Sequence, residues 1–218
     1  MALEATHIRF ALDTQDLFEV KDLNKYISGT IYPDSRYPTG IDRMLTHDDS
    51  QMKKNFWENN DFRKGWAAHL LYDKIQFTVH ADWFGDVLKE NNTEMTGEED
   101  WIVRTALKIL QDIDDLHQFD IKPHLSALNY VETPNGEDKI KVREYNQLFI
   151  NIYNKAPDVS VEDLEQMWID WSIPTEIAEK MRGKAHEIQK NERLMKLIDK
   201  IYGETIVRKD EFYNKYCI

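Results

Sequence analysis

The chain has 218 residues, with 28 Lys plus Arg against 40 Asp plus Glu, a net charge of −12. That length suits a single domain with a sizeable core, and the acidic balance excludes a broad phosphate-contacting surface for nucleic acid. The lone Cys217 excludes an intrachain disulfide and a cysteine-based zinc site, so any metal must be held by imidazole and carboxylate.

Apolar residues Leu3, Ile8, Phe10, Ala11, Leu12, Leu17 and Phe18 predict an N-terminal helix with one buried face, and His7 lies within it. The start of the chain lacks a basic segment followed by an apolar core, and no stretch approaches the roughly 20 apolar residues that span a bilayer. A soluble, cytoplasmic protein is therefore expected. From Gly29 to Ser50 the residues are dense in Gly, Pro, Asp, Ser and Thr with no sustained helical period, which reads as a long ordered loop. Loops of that length are uncommon in compact domains unless they are functional.

Asn60-Asp61 is a capping signal for a helix from about Phe62 to Thr78, with Trp66, Leu70, Ile75 and Phe77 inward. Thr96 and Glu99 form a capping-box pattern ahead of a helix carrying Trp101, Val103, Ala106, Leu107, Leu110, Ile113 and Leu116. Between Asn129 and Val142, the turn signal Pro134-Asn135-Gly136 reads as a short β-hairpin or an excursion. Ser160 with Glu162 and Asp163 opens a further helix through Trp171, and Pro174 starts the next. The predicted architecture is mostly α, a single compact domain over 1–218. It has the long loop, a hairpin or excursion at 128–143 and a charged helical appendage at 188–218.

Residue types that bind metal gather in the first third. His69 and Asp73 are four apart, which on a helix places both on one face within reach of one cation. His80, seven beyond Asp73, shares that face if the helix continues. Imidazole with carboxylate favours zinc, iron, manganese or nickel over calcium. Each residue alone also has an ordinary structural reading: an i,i+4 hydrogen-bonded pair, a turn-stabilising Asp34, or a His47-Asp48 pair capping a following helix. Asp112, Asp115 and His117, near the end of their helix, read as a solvated terminus or as additional ligands. His124 and His186 read as surface histidines. Arg36 and Arg43 flank the loop carboxylates, with planar forks that suit a phosphate or pair with Asp34 or Asp42.

Taken in order, Thr6-His7-Ile8-Arg9, Gly29-x3-Pro33-Asp34, Arg43-Met44-Leu45-Thr46-His47 and Gly65-x3-His69-x3-Asp73 resemble the zinc-dependent phospholipase C-like family over roughly the first 80 residues. The resemblance implies a mostly α fold with His7, Asp34, His47, His69 and Asp73 as metal ligands, and Asp34 as a bridge between ions or a base for the attacking water. His80 stands for a further family ligand at a looser spacing. The family's processed N-terminal Trp and later His-x3-Glu element have no counterpart here, so one or two ions, zinc first, are expected rather than three.

The function expected on this basis is metal-dependent hydrolysis of a phosphoester, acting on a small phosphorylated substrate or lipid head group, with Asp34, Arg36 and Arg43 at the chemistry. The alternatives are an HD-type nucleotide phosphohydrolase, suggested by His47-Asp48, and a non-catalytic helical binding or scaffold protein. Trp57, Trp66, Trp83 and Trp101 either wall an apolar pocket or belong to the core.

Overall fold

A computed structural model describes residues 3–89 and 97–218. Among the described residues every regular element is helical. The chain begins with α1 (Glu4–Thr14) and α2 (Leu23–Ile31), followed by a 3-10 turn (Tyr32–Ser35) and the single turn α3 (Arg36–Thr39). Two more 3-10 turns (Arg43–Leu45 and Asp49–Met52) and α4 (Lys54–Trp57) lead into the long α5 (Asp61–Lys89). After α6 (Gly97–Gln118) and a 3-10 segment (Lys122–Asn129) come α7 (Lys139–Tyr153), α8 (Val161–Asp170), α9 (Thr175–Gln189) and α10 (Glu192–Tyr216). None of these helices is long and apolar enough to cross a membrane.

Most helices start where a short polar side chain meets their first free amides. Asn60 accepts from Arg63 N at 3.1 Å, Asp138 from Ile140 N at 2.8 Å, and Asn191 from Leu194 N at 3.2 Å. Ser160 and Asp163 form a reciprocal capping box. Each such cap contributes about 1 kcal/mol. The predicted box at Thr96 lies outside the described residues.

The strip from Gly29 to Ser50, expected as a loop, is ordered but mostly made of helical turns. Gly29 does not end α2; it sits inside it, because another helix passes there too closely for a side chain. A Cβ on Gly29 would lie 1.9 Å from the Phe62 carbonyl oxygen, and one on Gly65 would lie 1.9 Å from that of Tyr26. The two glycines thus let α2 and α5 cross with their backbones nearly in contact.

The hairpin expected at 129–143 is not formed. Residues 130–138 run without regular structure through a turn, Gly136 supplying a positive φ of 83°. Lys139 to Val142 is the first turn of α7, because Asp138 caps it and Val142, Tyr145, Asn146 and Phe149 bury one helical stripe. Phe77 also departs from expectation: Trp66, Leu70 and Ile75 are inside, but Phe77 is 66% exposed. It stands one turn beyond Asp73, on the flank of α5 that opens to solvent. Trp57 and Trp66 are core, while Trp83 and Trp101 are half-buried against it.

One buried apolar cluster runs from Leu3 to Cys217. Helix α5 packs against α2, α1 and α10, and α6 against α9, α1 and α10. The segment 188–218 is therefore built into the same core through Leu194, Ile198, Ile201, Tyr202 and Phe212 rather than appended to it.

Candidate metal centre

Three separate stretches converge on the N-terminal half of α5. His69 and Asp73 project from one face of that helix, with His69 Nε2 3.7 Å from Asp73 Oδ2. Helix α1 brings His7 alongside, its Nε2 3.6 Å from Asp73 Oδ1 and its ring stacked on His69 at 3.8 Å between centroids. The 3-10 turn that Pro33 opens delivers Asp34, and the turn after Leu45 delivers His47, whose Nε2 is 3.4 Å from Asp34 Oδ1. Ligand atoms of His7, Asp34 and His69, and likewise of His47, His69 and Asp73, lie within 4.8 Å of one another. Two ligands held at 2.0–2.1 Å on a tetrahedral ion are about 3.4 Å apart, so these gaps are of ligand-to-ligand size and too long for hydrogen bonds.

The unused atoms carry the argument further. His7 Nδ1 and Nε2, His47 Nε2, His69 Nε2 and Asp34 Oδ1 are buried without a hydrogen-bond partner. Buried polar atoms are normally paired, because leaving one unpaired costs about 1–3 kcal/mol. Several such atoms pointing at one spot fit a cation that completes them.

In His69 and His47, though not in His7, the opposite ring nitrogen is occupied in the way that orients metal-binding imidazoles. His69 Nδ1 bonds the Thr30 carbonyl at 2.8 Å, which fixes it as the protonated nitrogen and leaves Nε2 as the bare donor. That carbonyl is within reach because Gly65 and Gly29 allow the close crossing. His47 Nδ1 bonds Thr46 Oγ1 at 2.8 Å, and Trp66 Nε1 holds the Thr46 carbonyl at 2.8 Å, so a core tryptophan anchors the His47 turn.

Protonation matches the same reading. Burial, reinforced by His69, holds His7 well below its ordinary range, and burial also lowers His69. Burial acts the other way on Asp34 and Asp73, but the surrounding positive charge outweighs it and keeps both carboxyls low. Neutral imidazoles beside ionised carboxylates are the state that metal binding requires. Glu4, 1% exposed beneath Asp34, is the opposite case: burial, then the charges of Asp34 and Asp112, raise it well above the carboxylate range and keep it neutral.

The centre opens through a pocket of about 290 Å³ lined by Arg43, His47, Asp49, Leu70, Asp73, Lys74 and Phe77. Arg43 therefore stands at the mouth, as the sequence suggests. Arg36 does not line it; its guanidinium lies 4.0 Å over the Tyr37 ring. His80 joins neither ligand group. Seven residues past Asp73 amount to a rise of about 10 Å along the helix, and its ring instead meets Phe84 edge-on at 5.5 Å between centroids. Asp48, next to His47, turns away and caps the following 3-10 turn, accepting from Ser50 N at 2.9 Å.

Asp112 and Asp115 are neither ligands in these groups nor a solvated end. Both are buried and clamp α1: Asp112 accepts from Thr6 N at 2.8 Å and from Tyr153 OH at 2.8 Å, while Asp115 accepts from Thr6 Oγ1 and Arg9 Nη1, each at 2.6 Å. Asp112 thereby serves the Thr6 amide in the first turn of α1, which has no side-chain cap from Leu3. His117 is exposed; its Nδ1 bonds the Ile113 carbonyl. Sequence reasoning missed Thr30 and Thr46. Thr30 acts through its carbonyl, which no side-chain pattern signals, whereas Thr46 directly precedes His47 and its hydroxyl was a readable clue.

No family model, no curated protein and no solved structure matches the chain.

Proposed function

We propose that this chain is a metal-dependent hydrolase of phosphoesters in which His7, Asp34, His47, His69 and Asp73 hold one or two divalent ions, zinc fitting the donor set best. The observation that supports this most is the convergence of buried, partnerless imidazole Nε2 atoms on Asp34 and Asp73 at 3.4–3.7 Å. Iron, manganese and nickel accept the same donors. The order of the four motifs, similar to the zinc-dependent phospholipase C-like family, supports the same chemistry. A bound ion of this class supplies a water that ionises near neutral pH and an electrophile for a phosphoryl oxygen.

The protein's own groups do the rest. Thr30 and Thr46 fix the ring orientations of His69 and His47. Arg43 offers a planar fork to a phosphate entering the mouth, and Leu70 and Phe77 give an apolar wall to the group attached to it. Asp34, ionised and buried, is placed to accept a proton from water held at the centre. The HD-type alternative needs Asp48 beside His47 at the ion, and Asp48 is committed elsewhere as a cap. Retention of so many unpaired buried atoms weighs against a purely structural scaffold.

The test is metal analysis of purified protein reconstituted with zinc and dialysed, followed by turnover of a generic aryl phosphodiester. At least one equivalent of zinc is expected, with a chelator lowering Tm by about 5–10 °C and abolishing turnover. Less than one equivalent, with Tm indifferent to the chelator, overturns the proposal. Bound zinc without turnover of phosphodiester or phosphomonoester overturns the hydrolase assignment and leaves the metal centre.

A further inference from the structure

The segment 130–138 has no regular structure, yet it is fastened to the two turns that deliver Asp34 and His47. Its first residue is held by α2, where Ser28 Oγ donates to the Tyr130 carbonyl at 2.6 Å, and its last, Asp138, caps α7. Between them the chain turns at Pro134-Asn135 and brings two side chains to Tyr32. Tyr32 opens the 3-10 turn that carries Asp34 two residues later. Its hydroxyl donates to Glu137 Oε1 and accepts from Asn135 Nδ2 at 2.8 Å.

The Asn135 side-chain amide has two protons to give. The second goes to the Leu45 carbonyl at 3.2 Å, at the end of the turn that precedes His47. One side chain at the surface therefore joins both turns. Buried Glu137 completes the arrangement, because its Oε2 accepts from Asn135 N at 3.0 Å while Oε1 holds the phenol. Both oxygens must accept, which a carboxylate does and a glutamine amide cannot. Beneath them the Tyr32 ring meets Trp66 edge-on at 4.7 Å between centroids, and Trp66 holds the Thr46 carbonyl. The bonds from Asn135 and Glu137 span 90 to 105 positions, and each ends two residues from Asp34 or His47.

We propose that Asn135 and Glu137 are positioning residues for the metal centre: they hold the Tyr32 and Leu45 turns together so that Asp34 and His47 meet at one ion. This rests on the metal-centre reading and adds to it two residues that are not ligands. Asp34 and His47 come from separate turns, so their 3.4 Å approach depends on how those turns are held. A metal site tolerates only about 0.2 Å in its ligand distances. A pin that releases either turn is therefore felt at the ion.

Chelator-competition titration of zinc into each purified variant, with Tm measured on the same samples, tests it. Asn135→Asp keeps the shape but puts an acceptor against the Leu45 carbonyl, and zinc binding should weaken about tenfold. Glu137→Gln should weaken it severalfold. Asp138→Ala is the control: it removes the α7 cap at the end of the same segment, so Tm should fall while zinc affinity stays that of wild type. Coupling is reciprocal, so zinc should also slow amide hydrogen exchange over 131–138 in wild type, a measurement that needs no variant to fold. Unchanged zinc affinity in Asn135→Asp overturns the positioning role and leaves the metal centre. An equal loss in Asp138→Ala, or exchange over 131–138 indifferent to zinc, overturns it as well. Wild type that retains no zinc overturns the metal-centre reading, and the positioning role falls with it.

Discussion

Two buried polar clusters meet at α1, and they are built on opposite principles. Around Thr6, the carboxylates of Asp112 and Asp115 are satisfied by hydrogen bonds of 2.6–3.0 Å from Thr6, Arg9 and Tyr153. Around His7, the imidazoles and carboxylates stand 3.4–3.7 Å apart with ring nitrogens unpaired. The first cluster is complete within the protein and acts as a clamp. The second leaves its ring nitrogens without partners, and the contrast between neighbouring sites in one core is what the proposed metal centre rests on.

Breaking the second cluster should have the largest effect on ligand binding. His69→Ala removes the residue common to both ligand groups, and bound zinc should fall from at least one equivalent to near zero. The loss of affinity should exceed the roughly 10–100-fold expected for an outer-shell change. Breaking the first cluster should instead cost stability. Asp112→Ala orphans the Thr6 amide and the Tyr153 hydroxyl, and urea denaturation should show a loss of about 2–4 kcal/mol, with zinc stoichiometry unchanged.

Gly65→Ala should act on stability and zinc binding together, since a methyl group cannot coexist with the Tyr26 carbonyl without separating α2 from α5. A stability loss of about 1–3 kcal/mol is expected, together with weaker zinc binding as Thr30 withdraws from His69. Thr46→Val is narrower: it should weaken zinc binding about tenfold and move Tm little. Unchanged affinity would show that Thr46 does not orient His47.

A further effect is a pH trend. Burial pushes Asp112 up to about 6 and Asp115 up to about 7, against an ordinary 3.8. Between those values and 3.8 the unfolded chain has released protons that the fold still holds, so stability falls as pH rises. The contribution of the pair is full below about pH 4 and lost through about pH 6 to 7. Asp112→Asn combined with Asp115→Asn should flatten that part of the stability profile; an unaltered slope would assign it to other groups.

The difference between the clusters was only partly legible in the sequence. His69 and Asp73 share a helix, so their spacing alone makes a pair, and the Asn60 and Ser160 caps are local signals that held. The convergence of His7, Asp34 and His47 is tertiary, and only the order of the motifs pointed to it. Asp112 and Asp115 have the residue type of ligands and the hydrogen bonds of a clamp, a distinction that depends on partners about a hundred positions away. Lys139 to Val142 suits a strand or a first helical turn equally well by pattern, and Asp138 decides for the turn. Phe77 has the composition of a core residue, and its exposure follows from where Asp73 must point.

The anchoring of α1 has a consequence for how the protein is made. Its first turn is tied to Asp112, Tyr145 and Tyr153 by bonds spanning 106 to 148 residues, and Tyr202 and Tyr213 reach back to Asp13 and Leu17 across 189 and 196. Closing such loops is entropically slow. During synthesis the helix bearing His7 must therefore wait for the last third of the chain before it is fully docked. His69 and Asp73, on one helix with the Thr30 carbonyl close by, are able to form first, and His7 completes the cluster as the fold closes.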